Sequence, residues 1–330
     1  MSNVGGTILI MKIIMLKCLL IGFISIAVWL NSGCENMAVP KSSDEQKPKV
    51  VATTTHLADL VRQIAGKHVE VIPLMKAGVD PHSYRATAKD IAHLQSADLI
   101  IFHGLSLEGK MARVLEDTQS GQKAPYSPCI DLPQDLLLRE SKHTIDPHVW
   151  FSPDLWTLCG RSFTDKLIDF YPDKSSLFEA NFQKFKKSVK RIDEWGQSMV
   201  GSIPDSWRVL ITSHDAFQYF GNHFHIEVVA LQGINTSTEA GLADRTNLVD
   251  FIRKHNSPAL FIESSVNPKA LKEIARESGS VIGGTLFSDA LGTPSQFAKG
   301  PDNEQLSTAT WQGMMAHNIR TIAQALQKTP

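Results

Sequence analysis

The sequence predicts an α/β protein of two parallel-sheet lobes joined by a single long helix. Three observations carry this. Short apolar runs alternate with helix-period segments from residue 49 to about residue 102, and the same alternation resumes after residue 205. Between them, Pro172 to Pro204 reads as one uninterrupted helix. Alternating strand and helix implies right-handed crossovers, hence parallel sheets covered on both faces.

The first strand is Lys49–Thr54 (KVVATT), followed by an amphipathic helix over Leu57–Ala65 with Leu57, Leu60, Val61 and Ile64 on one face. Val69–Leu74 is a second strand, Lys89–Leu94 belongs to a helix, and Asp98–Phe102 is a short buried strand. In the long segment, Leu177, Phe178, Phe182, Phe185, Val189, Ile192 and Trp195 keep helical spacing. Pro172-Asp173 suits its first turn, and Ile203-Pro204 closes it. About 30 residues at 1.5 Å each make a rod roughly 45 Å long. Beyond it, Trp207–Ile211, Ile226–Leu231, Ala259–Ile262 and Ser280–Ile282 read as strands, with helices around Ala243–Lys254 and Pro268–Ser278. The expected boundaries are 50–171 for the first lobe, 172–204 for the helix and 205–330 for the second lobe.

Residues 1–34 read as a signal peptide. Lys12 and Lys17 precede an apolar stretch from Cys18 to Leu30, about 13 residues, where a membrane span needs about 20. No positive charge occurs in residues 1–10, so translation is expected to begin at Met11. Gly33-Cys34 resembles a lipoprotein cleavage site with Cys34 lipidated, although Leu30 stands one place earlier than usual. Residues 35–49 are polar and aperiodic, the composition of a flexible tether.

The body after the tether, about 280 residues, is long enough for two domains. A net charge of −1 leaves no basic footprint for nucleic acid. Only Cys129 and Cys159 remain after Cys34. An exported location permits a disulfide between them, and two separate buried thiols fit equally well.

Four loops after strand-like runs each offer one metal-type ligand: Asp80-Pro81-His82, Asp146-Pro147-His148, Ser213-His214-Asp215 and Ser288-Asp289. Three imidazoles and a carboxylate complete the coordination of a divalent transition metal. The proline before His82 and before His148 stiffens the loop that aims each ring. Asp80 and Asp146 can accept from the ring N–H of the histidine that follows, or simply shape the turn. Glu263 follows a strand and is read as a supporting group behind the ligands. His56 could neighbour the site; His103, His143, His223, His225 and His317 are read as surface or packing residues. Free imidazoles, with pKa about 6.5, would let protons weaken metal binding between roughly pH 7 and 5.

The runs GVDPHSYRATAKDI, HTIDPHVWFSPDLW, VLITSHDAFQYFG, LQGINTSTEAG, ALFIESSVNP and IGGTLFSDALG resemble, in order and spacing, the TroA/PsaA group (cluster A-I) of periplasmic metal-binding proteins. The resemblance covers residues 50 to about 326. It implies two α/β lobes with the metal in the cleft between them, and the ligands His82, His148, His214 and Asp289. It also implies that the protein is no enzyme but the extracytoplasmic solute-binding component of an ABC importer: a monomer that captures zinc, manganese or iron and delivers it to a membrane permease with a cytoplasmic ATPase. Manganese-importing relatives often carry Glu at the position of His214, and zinc importers often carry a His-rich loop where Leu132–Asp146 holds only His143. A secreted zinc-dependent hydrolase is the rival reading, but the chain has no HExxH helix and a fourth ligand would fill the position catalytic zinc leaves open. A surface adhesin is a second rival, and no repeat or exposed aromatic stretch specifies it.

Overall fold

The computed structural model describes residues 47–118, 124–238, 240–255 and 259–327. The expected leader, Cys34 and most of the tether lie outside the described residues. The first lobe is built from β1 (Lys49–Ala52), α1 (Thr55–Ala65), β2 (Glu70–Pro73), α2 (Ala88–Ser96) and β3 (Leu99–Ile101). Its strands run parallel in the order β2-β1-β3, with Val50 paired to both Val71 and Leu99. Val50 and Val51 point to opposite faces and both are fully buried, as a central parallel strand requires. Thr54 caps α1 by accepting from the Leu57 amide, and Thr87 with Asp90 closes a reciprocal capping box on α2.

Then follow α3 (Ala112–Asp117), α4 (Pro153–Phe170) and the long α5 (Ser175–Gly201). At 27 residues, α5 is about 40 Å long. It is shorter than the sequence suggested at both ends. Pro172–Lys174 forms a separate 3-10 turn, and Lys174 (φ −107°, ψ 9°) leaves helical geometry before α5 begins. At the other end Ile203 precedes a proline, which disfavours helix. Phe178, Phe182, Phe185, Val189, Ile192 and Val200 form the buried stripe of α5. A Cβ on Gly160 of α4 would lie 2.6 Å from the Phe185 ring, so glycine is what admits the close α4–α5 contact.

The second lobe contains β4 (Val209–His214), α6 (Gln218–Phe224), β5 (Glu227–Gln232), α7 (Leu242–His255), β6 (Ala259–Glu263), α8 (Lys269–Ser278) and β7 (Val281–Leu286). Its parallel order is β5-β4-β6-β7. An antiparallel hairpin of β8 (Phe297–Lys299) and β9 (Gln305–Ser307) leads into α9 (Trp311–Leu326). β7 runs well past the expected Ser280–Ile282. The expected strand stops just before Gly283-Gly284, but a Cβ on Gly283 would meet Ala325 of α9 at 2.8 Å and one on Gly284 would collide with Thr321. The glycines let the helix lie flat on the strand.

One contiguous apolar core extends from Val50 through the α5 phenylalanines to Leu326 and so passes through both lobes. Separate clusters fill the outer sheet faces, around Leu248, Leu260 and Leu271 in the second lobe and Leu74, Ile100 and Met111 in the first. Cys129 and Cys159 are buried in the first lobe as unbonded thiols with their Sγ atoms 2.8 Å apart. Among the described residues, no helix is long and apolar enough to cross a membrane.

Candidate metal centre

The carboxyl ends of β2, β4 and β7 deliver three of the four predicted residues, whereas the loop bearing His148, expected to follow a strand, comes after an irregular stretch with only an isolated Arg139–Ile145 bridge. His82 sits on the loop after β2, His214 is the last residue of β4, Asp289 follows β7, and His148 precedes the 3-10 turn Val149–Phe151 that leads into α4. This is the crevice where open parallel sheets place ligands. One donor atom from each of His82, His148, His214 and Asp289 lies within 4.8 Å of the others, and all four residues are buried.

The His82 and His148 Nε2 atoms face each other at 3.4 Å. Asp289 Oδ1 stands 3.3 Å from His148 Nε2, and Oδ2 stands 3.2 Å from His214 Nε2 and 4.0 Å from His82 Nε2. A tetrahedral ion with ligand bonds near 2.0–2.1 Å has ligand–ligand edges of about 3.3–3.4 Å. The cage therefore has the dimensions of one small divalent cation. Among the described residues, neither Asp289 oxygen has a well-aligned hydrogen-bond partner. Such a carboxylate is costly to bury without a cation.

Behind two of the rings stand carboxylates. Asp146 Oδ1 lies 2.6 Å from His148 Nδ1 and also accepts the His148 amide at 2.9 Å. Glu263, the last residue of β6, accepts the Ser213 and His214 amides with Oε1, both at 2.9 Å. Its Oε2 lies 2.6 Å from His214 Nδ1, an ion-pair contact rather than a well-aligned hydrogen bond. Each carboxylate holds the proton on Nδ1 and so turns the Nε2 lone pair into the cage when the ring is neutral. Asp80 behaves differently. Its Oδ1 accepts the His82 amide at 2.8 Å, and its Oδ2 accepts from the hydroxyls of Ser83 at 2.6 Å and, across the cleft, Thr236 at 2.7 Å. It shapes the turn and contacts the opposite lobe instead of the ring.

The electrostatics follow from this arrangement. Burial disfavours charge on His148, but Asp146 and Asp289 outweigh it and raise its pKa to about 9. His214 is likewise opposed by burial and yet held well above the ordinary imidazole range by Glu263 and Asp289. His82 lacks a carboxylate behind it, so burial lowers it to about 4 despite Asp289. Burial would raise Asp289, but the facing His214 and His148 hold it well below the ordinary carboxylate range.

Sequence reasoning gave two supporting residues packing roles only, Trp150 as core or cleft wall and His103 as surface or packing. Trp150 is fully buried, and its indole N–H donates to the Ser288 carbonyl at 3.1 Å, immediately before Asp289. His103, assigned to surface or packing, is fully buried at the end of β3 with Nε2 2.7 Å from the Pro147 carbonyl. Burial lowers its pKa to about 3, so the ring is neutral and Nε2 carries the proton it donates. The signal was its place directly after an apolar strand. His56 is also buried beside the site, stacked on Trp150 with ring centroids 4.4 Å apart. His143 and His225 are exposed, and the half-buried His223 pairs with Asp193 of α5 at 2.6 Å. Beside the cage a cavity of about 420 Å³ is lined by Asp80, Ser213, Gln232, Thr236, Ser265 and Asn267, among others.

Fold and cage together define a two-lobed α/β binding protein built around one cation-sized site. Comparison with known proteins makes the class specific: the chain belongs to the ZnuA family, described as zinc-uptake complex component A, periplasmic, which matches residues 50–325. The manganese-binding lipoprotein MntA of Bacillus subtilis is 38% identical over 307 residues, covering 91% of this chain and 96% of the relative. The solved structure of the periplasmic zinc-binding protein TroA from Treponema pallidum matches with a TM-score of 0.80 at 36% identity, covering 86% of this chain and 100% of that one. The metal ABC transporter substrate-binding lipoprotein SsaB of Streptococcus sanguinis is 26% identical over 317 residues, covering 93% of this chain and 99% of the relative. The family is one of solute-binding components of ABC metal importers, not of enzymes.

Proposed function

We propose that this protein captures Zn²⁺ or Mn²⁺ outside the cytoplasm and delivers it to a membrane permease driven by a cytoplasmic ATPase. The observation that carries the reading is the buried cage: three imidazoles and a carboxylate whose donor atoms lie within 4.8 Å of one another. His82, His148, His214 and Asp289 are the ligands, with Asp146 and Glu263 orienting two of the rings. The relatives named for manganese and for zinc support the choice of cargo. Both Asp289 oxygens face the cage, so one-oxygen binding suits tetrahedral zinc and two-oxygen binding suits the higher coordination of manganese.

The protein hydrolyses nothing in this reading, because Asp289 takes the position a catalytic zinc leaves to water. Cys34 carries a lipid that keeps the body at the outer membrane face, as the names of the lipoprotein relatives support. It acts as a monomer, since one chain supplies every ligand. Purification without added metal, elemental analysis, and competitive loading with zinc and manganese test the reading. One equivalent of metal lost on replacing His148 with Ala is expected. Retention of a full equivalent by that variant, or none in the parent, rejects it.

A further inference from the structure

We infer that Cys129 and Cys159 are joined by a disulfide in the exported protein. Cys159 lies in the middle of α4 and Cys129 in the loop that leads towards His148, 30 residues apart in sequence. Both side chains are fully buried, and their sulfurs are in direct contact. The Cys129 amide donates to Ser127 Oγ, and that hydroxyl donates to the His103 carbonyl, so the loop is held in place independently of the sulfurs. Bond formation therefore asks for less than about 1 Å of further sulfur approach. A thiol pair gains only a weak S–H contact there, whereas an oxidising compartment favours the covalent link. The inference rests on the extracytoplasmic location proposed above.

The oxidant is a disulfide of that compartment. One cysteine thiolate attacks it, forming a mixed disulfide and releasing the first oxidant thiol. The second cysteine then displaces the remaining oxidant sulfur. One S–S bond breaks, one forms, and both electrons and both protons end on the oxidant's two thiols. The exchange belongs to folding, because burial holds the Cys129 thiol well above its ordinary pKa and keeps it protonated once the lobe has closed. The closed loop contains Asp146, His148 and Trp150, so the bond fixes both ends of the segment that supplies one ring of the cage.

The test is peptide mapping of the full-length protein recovered from the extracytoplasmic fraction, alkylated under denaturing conditions without reductant. A cross-linked Cys129–Cys159 peptide that disappears on reduction is expected, with the melting temperature lower by roughly 5 °C or more in the reduced form. Quantitative alkylation of both cysteines overturns the proposal. Should the chain fractionate with the cytoplasm, the location is wrong, and the geometry is then judged by refolding the reduced protein with oxidised glutathione. Cross-linking there sustains the pairing, and failure to cross-link removes it.

Discussion

The Trp150 indole donates to the Ser288 carbonyl at 3.1 Å, so the residue two places after one candidate ligand grips the residue immediately before another from the opposite lobe. The Trp150 carbonyl in turn accepts the Trp311 indole N–H at 2.7 Å, which adds the start of α9 to the same link. Further bonds cross between the lobes: Leu291 donates its amide to Thr55 Oγ1 at 2.8 Å, Trp311 donates its amide to Asp59 at 2.8 Å, and the Tyr219 hydroxyl donates to the Asp146 carbonyl at 3.1 Å. With an apolar core continuous through both lobes, opening them widely would expose much of that core.

The metal-free and loaded proteins should therefore have nearly the same overall size, differing by no more than about 1 Å in radius of gyration. Solution scattering on both forms measures this. An expansion of several ångströms on metal removal is incompatible with a shared core that stays closed.

Much of this architecture was legible in the sequence because parallel strands are short apolar runs and α5 keeps an apolar residue every three or four positions. What escaped was decided by tertiary contact. The expected strand stopped just before Gly283-Gly284, against which α9 packs. α4 and α9 lie outside the strand–helix alternation from which the sheets were read. The convergence of the four cage residues was legible from loop position and motif, and the placement of Asp146 and Glu263 behind two of the rings was legible in part. His103 and Trp150 were not, since their use depends on carbonyls far away in sequence.

Exchange of the ion should depend on Thr236. His82 is the only cage side chain with measurable exposure, at 2%, and Thr236 ties its loop to the second lobe through Asp80. Thr236→Val removes that bond but leaves Asp80 holding the His82 amide. Loading and release should both quicken by roughly 3–10-fold, the worth of one hydrogen bond, with less change in affinity. Stopped-flow release into a chelator reads the rate, and rates equal to the parent's would separate this contact from gating.

Glu263→Gln should lower metal affinity by roughly 10–100-fold while preserving the fold. The amide oxygen can still accept the Ser213 and His214 amides, but no anion remains behind His214 Nδ1. Asp146→Asn should act similarly at His148. Competition titrations, with circular dichroism to verify folding, provide the measurement. Affinity within twofold of the parent in both variants would show that these carboxylates do not tune the rings.

The acid dependence of metal binding should differ from that of free imidazoles. His148, raised to about 9, and His214, raised well above its ordinary range, both hold protons in the metal-free cage at pH 7, whereas His82, lowered to about 4, does not. Metal takes only unprotonated rings, so a raised pKa means that protons compete at higher pH. Affinity should consequently keep climbing through neutrality to at least about pH 9, whereas the sequence alone suggested a fall confined to pH 7 to 5. A divalent ion replacing two imidazole protons leaves the net charge of the buried cage unchanged, which removes much of the cost of bringing it in. About two protons should be released per ion at pH 7. Calorimetry in buffers of different ionisation enthalpy counts them directly. His148→Ala should release about one fewer and bind more weakly, and a parent that releases none cannot have its cage charged in this way.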